Sequence, residues 1–182
     1  MPIPEPRIRR ATVEDAAAIA RVRVDTWRSA YRGILPDELL DRLDPAESAV
    51  RWRRGLETLN PDRVAYVADA GGAIVGFATG GPERSANRMY PGEVYALYVL
   101  DRHQGRGIGR ALVRAAAEEL VRRGLAPILI WTLRDNAKAR TWYEGLGGVL
   151  VGEKSEPYEG HVLNEVGYGW RDPAALIGAP AR

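Results

Sequence analysis

Residues 94–113 read Val94-Tyr-Ala-Leu-Tyr-Val-Leu-Asp-Arg-His-Gln-Gly-Arg-Gly-Ile-Gly-Arg-Ala-Leu-Val113. The first part of this segment is rich in Val, Leu and Tyr, which favours a β-strand packed on both faces. From Ile108 onwards the apolar residues recur at intervals of three and four, as on one face of an α-helix. Between the two patterns, glycines occupy alternate positions at Gly105, Gly107 and Gly109. The sequence therefore predicts a strand, a glycine-rich turn and a helix in succession.

The glycine-rich turn, residues 104–109, has the properties of an anion-binding site. Glycine adopts backbone conformations that are closed to other residues, and it lets a ligand approach the main chain closely. The first N–H groups of the following helix lack carbonyl partners, and the helix dipole adds partial positive charge at the same end. We therefore expect a phosphate or pyrophosphate group to bind at this turn.

Three phosphate-binding motifs contain glycines at similar spacing. A Walker loop requires Lys and then Ser or Thr after its last glycine, but Arg110 and Ala111 stand there, which excludes it. A dinucleotide fingerprint requires Gly-x-Gly-x-x-Gly, and its last glycine position falls on Arg110 or Leu112. This second interpretation, which would make the protein a nicotinamide-dependent oxidoreductase, stays open as an alternative.

The third motif is Gln/Arg-x-x-Gly-x-Gly/Ala after a strand, and Gln104-Gly-Arg-Gly-Ile-Gly109 matches it. This arrangement resembles the coenzyme A pyrophosphate site of the GNAT superfamily of N-acetyltransferases. A second match follows downstream, where Asn136-Ala-Lys-Ala-Arg-Thr-Trp-Tyr143-Glu-Gly-Leu-Gly-Gly148 resembles the family's short helix with a Tyr and a terminal glycine turn. The resemblance covers nearly the whole chain at the level of the fold, but it is specific only for the acetyl donor.

The predicted elements mix strands and helices along the chain, which indicates an α+β fold. The resemblance implies a GNAT-like mixed, mostly antiparallel central sheet that is flanked by helices and splayed at the acetyl-coenzyme A site. Strands are predicted at residues 8–11, 63–69, 73–79, 93–100, 127–133, 149–155 and 161–170, and helices at 16–30, 37–43, 45–59, 108–123 and 136–145. The chain length favours a single domain, residues 1–172, followed by a loose tail over residues 173–182.

By the same resemblance, acetyl-coenzyme A is the co-substrate, and the main chain of Leu97, Tyr98 and Val99 contacts it. The strand is expected to bulge here, so that free backbone groups pair with the pantetheine arm and one N–H polarises the thioester carbonyl. The other residues expected to bind the coenzyme are Gln104, Gly105, Arg106, Gly107, Ile108, Gly109, Arg110, Asn136, Arg140 and Tyr143. Other roles stay open for these residues. The side chains of residues 97–99 could pack in the core, the arginines could be exposed to solvent, and Asn136 could cap a helix.

Acetyl transfer to an amine requires a proton acceptor, because an amine with a pKa of about 10.4 is neutral in only about one molecule in two thousand at pH 7. Glu93 is the candidate base, and it would share a face with Tyr95, Leu97 and Val99 if the central strand is regular. Tyr143 matches the family's Tyr that protonates, or hydrogen-bonds to, the departing sulfur. Two alternatives stay open: Glu93 could be a solvated carboxylate at the strand end, and Tyr143 could be a core residue.

The chain contains no Cys and therefore no thiolate nucleophile, which agrees with direct transfer of the acetyl group in a ternary complex. An alternative of a different class is a non-catalytic acyl-coenzyme A sensor on the same fold. The presence of both Glu93 and Tyr143 argues against that alternative.

The acceptor is expected to be a primary amine on a small molecule or a peptide. In the resembled family the first helices form one wall of the acceptor site, which makes Trp27, Tyr31 and Arg32 candidate substrate contacts. Tyr95 of the central strand is a further candidate, and the segments 27–35, 83–90 and 156–161 are expected to shape the acceptor pocket. Packing in the core or in a lid is the alternative role for the residues of the first helix, and the identity of the amine is not readable from the sequence.

Composition bears on several other classes of function. The net charge is only +2, and no basic run with interleaved aromatic residues occurs, so a nucleic-acid partner is not indicated. With no Cys and two His, no Cys- or His-rich metal site is expected. No apolar run reaches the length of a membrane span or a signal peptide, so the sequence predicts a cytoplasmic protein without membrane contact. The resemblance also allows a homodimer, since dimers are common in the family.

Overall fold

The computed structural model describes residues 5–58, 61–85 and 87–178. The elements in chain order are β1 (Arg7–Arg10), α1 (Ala16–Ala30), α2 (Asp37–Asp41), α3 (Pro45–Glu57), β2 (Val64–Ala70), β3 (Ala73–Pro82), β4 (Gly92–Val99), α4 (Ile108–Arg122), β5 (Ile128–Leu133), α5 (Ala137–Gly145), β6 (Val149–Tyr158), β7 (His161–Trp170) and α6 (Ala174–Ile177). Every strand and helix predicted from the sequence is present, with boundaries shifted by a few residues. Leu59, the predicted end of α3, lies outside the described residues.

The strands form one seven-stranded sheet in the order β1-β2-β3-β4-β5-β7-β6. Strands β4 and β5 are parallel and are connected through α4, whereas the other neighbouring strands pair antiparallel. A parallel pair needs such a long crossover connection, while antiparallel pairs can be joined by tight turns. The predicted α+β fold with a mixed, mostly antiparallel sheet is confirmed.

Helices cover both faces of the sheet. On one face, the ring of Phe77 in β3 packs against Trp52 of α3, with ring centroids 5.2 Å apart. On the other face, Leu112 of α4 packs closely over Gly76 of β3, so that a Cβ at Gly76 would lie only 3.1 Å from Leu112 Cδ1. Because successive residues of a strand point to opposite faces, α3 and its neighbour α1 lie on one side of the sheet and α4 lies on the other.

Strands β4 and β5 stay together over only three residue pairs, which end at Val94 and Ile130. Beyond this point β4 continues beside β3 to Val99, and β5 continues beside β7 to Leu133. The sheet therefore opens into a gap between the two strands, as the predicted splay requires.

The bulge in β4 lies at Tyr95, and not at residues 97–99 where we expected it. In the pairing of β3 with β4, Thr79 faces Ala96 whereas Gly80 faces Val94, so Tyr95 is the additional residue. One additional residue reverses the alternation of side chains along the rest of the strand.

The predicted common face of Tyr95, Leu97 and Val99 is therefore wrong. Tyr98, three residues after Tyr95, lines the same pocket as Tyr95 and accepts a hydrogen bond from Nε1 of Trp27 in α1. The side chain of Val99 lies on the opposite face, near the position that a Cβ at Gly76 would occupy beside α4. The bulge thus directs two tyrosines of β4 to the α1 side of the sheet.

The loose tail predicted for residues 173–182 is wrong for its first part. Ala174–Ile177 forms α6, which packs against α4, and its Leu176 side chain is only 1% exposed. The two prolines and the weak periodicity of residues 173–182 favour a tail, but Pro173 stands at the helix start, where a missing N–H costs nothing. Residues 179–182 lie outside the described part of the chain.

We expect Leu176→Ala to lower the free energy of unfolding by about 2 to 3 kcal/mol, because it leaves a cavity in the main core. Urea denaturation measures this change. Val162→Ala is the matched control, since Val162 is 64% exposed and its truncation should change stability by less than about 0.5 kcal/mol. Equal stability of Leu176→Ala and the parent protein would mean that α6 does not contribute to the core.

Candidate active site

A cleft of about 880 Å³ opens between the diverging strands β4 and β5. This volume lies within the range of roughly 300–1,000 Å³ typical of small-molecule and cofactor sites. The residues of the cleft wall that the sequence analysis had named are Tyr31, Tyr95, Leu97, Tyr98, Val99, Gln104, Gly105, Gly107, Gly109, Arg110, Asn136 and Tyr143. The structure thus brings the two sequence motifs together on one cavity.

The glycine-rich turn forms one end of the cleft and has the conformation that its glycines predict. Gly105 and Gly107 have φ angles of +72° and +78°, in the left-handed region that side chains other than glycine rarely adopt. A Cβ at either position would have no atom within 4 Å, so the backbone conformation and not lack of space requires glycine there. Gly109 differs from these two glycines because its φ angle is not in the left-handed region. A Cβ there would make an ordinary contact with the Trp142 ring, at 3.6 Å.

The start of α4 presents unpaired N–H groups at this end of the cleft. Gly107 is the N-terminal cap, and the first helical hydrogen bond runs from the Ala111 N–H to the Gly107 carbonyl at 2.9 Å. The N–H groups of Ile108, Gly109 and Arg110 precede that bond and have no carbonyl partner within the helix. Together with the helix dipole, they form a site suited to a phosphate group.

Gln104 braces the turn. Its side-chain Nε2 donates to the Val99 carbonyl at 2.8 Å and to Asp101 Oδ1 at 3.0 Å, while its Oε1 accepts from Lys138 Nζ at 2.6 Å. This one side chain therefore ties the end of β4 to the start of α5 across the cleft end. Lys138 adds a cation to the cleft wall that the sequence analysis did not name, although it belongs to the second motif.

The arginines predicted to meet phosphates lie in different places. Arg110 lines the cleft, and Arg106 is exposed beside it. Arg140 turns away from the cleft wall: its guanidinium donates to the Tyr168 hydroxyl and to the Arg134 carbonyl, both at 3.1 Å. The structure therefore places Arg110 and Lys138, but not Arg140, at the glycine end of the cleft.

Asn136 has the capping role that the sequence predicts. Its Oδ1 accepts a hydrogen bond from the Ala139 N–H at 3.1 Å, and the residue also lines the cleft. The first turn of α5 is thereby fixed against the cavity, which orients the side chains that follow on the same helix.

Tyr143 is buried in the cleft wall among aromatic rings. Its ring lies 5.3 Å from that of Trp142, 5.9 Å from that of Tyr168 and 6.1 Å from that of Trp170. The Tyr143 hydroxyl makes no hydrogen bond to any residue that the structure describes. Burial raises the pKa of Tyr143, and the nearby Tyr98 raises it further, so the phenol carries its proton at neutral pH. The hydroxyl is therefore a proton donor without a protein acceptor.

Glu93 is only 1% exposed, which shows that the alternative of a solvated carboxylate is wrong. Arg84 surrounds this carboxylate: Nη2 lies 2.5 Å from Oε1, while Nε and the backbone N–H of Arg84 lie 3.2 and 3.1 Å from Oε2. The described residues that line the cleft, and those that line the pocket described next, do not include Glu93. Its role as general base stays a prediction.

A second cavity of about 70 Å³, here called the small pocket, adjoins the cleft. Its walls are Trp27, Tyr31, Arg84, Tyr95, Tyr98, Trp131, Thr132, Leu133, Leu163 and Glu165. Tyr31, Tyr95, Tyr98, Trp131 and Thr132 also line the cleft, so the two cavities share a wall. Trp27, Tyr31 and Tyr95, the candidate acceptor contacts, meet here.

Arg32, the fourth candidate contact, instead forms ion pairs with Asp37 and Asp41 at 2.9 and 3.0 Å. The small pocket also contains Arg84, from the segment 83–90 that was expected to shape it, and Trp131 and Glu165, which were not expected there. No local signal marks Trp131 and Glu165, because they come from two strands, β5 and β7, that are distant in the chain.

Two further observations concern residues 5–58, 61–85 and 87–178. No cluster of three or more His, Cys, Asp or Glu side chains in these ranges could hold a metal ion. None of the helices found there combines the length and the apolar character needed to cross a membrane.

Comparison with known proteins supports the interpretation of the two motifs. The model of the Acetyltransferase (GNAT) family matches residues 21–147 of the chain. The chain belongs to this family. The GNAT membership and the acyltransferase class predicted from the sequence are confirmed, and the interpretation of the glycines as a dinucleotide fingerprint is dropped.

Alignments of this GNAT protein with similar proteins cover nearly its whole length. It is 36% identical over 170 residues to "Uncharacterized N-acetyltransferase YuaI" of Bacillus subtilis, an alignment that covers 93% of this chain and 95% of the relative. Its fold is similar to that of PaiA N-acetyltransferase from Thermoplasma acidophilum in complex with coenzyme A, with a TM-score of 0.65, 19% identity and coverage of 91% and 99%. It is also similar to YncA from Salmonella typhimurium with acetyl-CoA, with a TM-score of 0.65, 21% identity and coverage of 97% and 96%.

The same substitution at two glycines should change the stability of this GNAT protein in opposite directions. Gly107→Ala forces a side chain into the left-handed region and should lower the free energy of unfolding by about 1 kcal/mol. Gly55→Ala, within α3 and with open space around it, should raise that free energy by about 0.5 to 1 kcal/mol. Urea denaturation of both variants is the measurement. A gain in stability at Gly107 would contradict the conformation assigned to the turn.

Proposed function

We propose that this GNAT protein transfers the acetyl group of acetyl-coenzyme A to a primary amine by direct attack in a ternary complex. One observation carries the proposal: a single cleft connects the free N–H groups at the start of α4 with the Tyr143 hydroxyl, along the edge of β4 that β5 has left. The two similar structures with coenzyme A or acetyl-CoA bound support the choice of donor. We propose that the residues from β1 to α6 act as one catalytic domain.

The donor would bind mainly through the main chain. Its pyrophosphate would accept hydrogen bonds from the N–H groups of Ile108, Gly109 and Arg110, and Lys138 would add positive charge. The pantetheine arm would pair with the backbone of residues 97–99, which lacks a strand on its β5 side. An N–H of this strand would polarise the thioester carbonyl, and one such donor is worth roughly 10² to 10³ in rate.

Transfer then requires one new bond and one broken bond. The lone pair of the neutral amine attacks the thioester carbon, so that the C–N bond forms and negative charge collects on the oxygen. When the C–S bond breaks, its electron pair leaves with sulfur, which takes the proton of Tyr143. The nitrogen, which is positively charged after attack, returns a proton to the tyrosine oxygen. The proton that the ammonium ion loses before attack goes to the base, for which Glu93 stays our candidate, reached through water because Arg84 covers its carboxylate.

Gly107→Asp should abolish binding of acetyl-coenzyme A as measured by calorimetry, because it places a carboxylate beside the pyrophosphate. Gly107→Asn is the matched control, since Asp and Asn have nearly the same shape, tolerate the left-handed conformation and cap helices. The Asn variant should bind at least tenfold more tightly than the Asp variant. Equal affinities of the two variants would argue against an anion at this turn.

Tyr143→Phe and Glu93→Gln should each lower kcat by about 10² or more while changing coenzyme affinity much less, because both groups move protons. The measurements are thiol release over a panel of amines and calorimetric binding of acetyl-coenzyme A. Tyr66→Phe and Glu153→Gln, both away from the cleft wall, are the matched controls. Full turnover in both test variants would leave the proton transfers unassigned, and binding without thiol release in the parent protein would favour the sensor.

A further inference from the structure

We propose that the acceptor is an α-amino acid with a short apolar side chain, bound in the small pocket with its carboxylate on Arg84 and its amino group on Glu165. The inference rests on the proposed function, because it names the amine that meets the acetyl donor. It follows from two opposite charges that face one small cavity, in which half of the lining residues are aromatic.

Arg84 provides a preoriented cation. Glu93 engages its Nε and Nη2 atoms, and the guanidinium stacks 4.1 Å above the Tyr95 ring, which fixes its plane. The Nη1 atom makes no hydrogen bond within the described chain. A guanidinium held on one edge and free on the other binds a carboxylate through parallel N–H groups, and this geometry is more selective than a simple point charge.

Glu165 provides the opposite charge. It lies on β7, where its backbone pairs with Leu133 of β5 on one side and with Lys154 of β6 on the other. Its Oε2 lies 3.3 Å from Lys154 Nζ, while Oε1 has no partner among residues 5–58, 61–85 and 87–178. The Glu165 side chain is 21% exposed, so an ammonium group bound there would be partly shielded from water.

The remaining walls limit the size and polarity of the ligand. Trp27, Leu133 and Leu163 offer apolar surface, and the volume of about 70 Å³ suits a small molecule better than a protein segment. Tyr98 and Thr132 line both cavities, so a ligand in the small pocket can present one end to the cleft. An α-amino acid satisfies these conditions together, because its two charged groups are attached to the same carbon atom and its side chain is free to contact the apolar wall.

Matched compounds test this assignment in the wild-type protein. Thiol release from acetyl-coenzyme A is measured with alanine, valine and leucine, with their amides, and with ethylamine, isobutylamine and 3-methylbutan-1-amine, which lack only the carboxylate. At least one of the three amino acids should give a kcat/KM tenfold or more above both its amide and its decarboxylated amine.

Variants then test which residues cause the preference for the amino acid over the decarboxylated amine. Arg84→Lys keeps a cation beside Glu93, but a lysine ammonium has no second edge of N–H groups to bind the carboxylate of the amino acid. The ratio of kcat/KM for the amino acid to that for the decarboxylated amine should therefore fall at least tenfold. Arg51→Lys on the surface of α3 should keep the ratio of the wild type. Glu165→Gln should raise KM for the amino acid and for the amine alike, whereas Glu153→Gln, in an exposed ion pair with Arg134, should not.

The possible results separate the two proposals. Decarboxylated amines used as well as the amino acids, or an unchanged ratio in Arg84→Lys, would overturn the acceptor assignment and leave acetyl transfer standing. Failure of wild-type protein to bind acetyl-coenzyme A in calorimetry would overturn the proposed function and the acceptor assignment with it. If Arg84→Lys does not fold, as judged by circular dichroism, the wild-type comparison decides alone.

Discussion

The separation of β4 from β5 is the constraint on which the site depends. Two parallel strands that pair over three residues and then diverge leave backbone N–H and C=O groups without a neighbouring strand. Such groups cost free energy when they are buried without partners, so an open edge inside a fold must be satisfied by water or by a ligand. The core below the separation is closed, since Val94 and Ile130 are both buried. The cleft is therefore a defined interruption of a well-packed sheet, and the binding edge is part of the fold itself.

Charged and polar side chains hold this gap at both ends. At the closed end, Glu93 lies in the last paired segment of β4, and its buried carboxylate depends on Arg84 for hydrogen bonds. Arg84 is itself half exposed, so water screens part of this ion pair, but its three hydrogen bonds to the buried carboxylate still tie the loop before β4 to the strand. At the other end, Gln104 joins the last residue of β4 to α5. These two contacts thus join the ends of the gap to neighbouring elements of the fold.

Local features were predictable from the sequence, and features assembled from distant parts were not. The left-handed glycines, the cap at Asn136 and the change from strand to helix near residue 108 each depend on a few neighbouring residues. The bulge at Tyr95 depends instead on the register against β3, and one shifted residue reversed the face of every later side chain. The burial of Leu176 likewise required knowledge of α4, because the short apolar run Ala174–Ile177 is less than two helical turns long and shows no periodicity. Glu93 was found by its position, but its ion pair with Arg84, which determines its surroundings, was not.

The same distinction explains why the donor is easier to infer than the acceptor. The proposed donor site uses main-chain N–H groups, and these require only glycines and a helix start, which leave a recognisable spacing in the sequence. The small pocket is built from side chains of α1, β4, β5, β7 and the loop after β3, which are distant in the chain and share no recognisable spacing in the sequence. Its chemistry is therefore visible only in three dimensions. Because one edge of Arg84 is occupied by Glu93 and the other is free, a single guanidinium can both stabilise the closed end of the cleft and select the molecule that enters it.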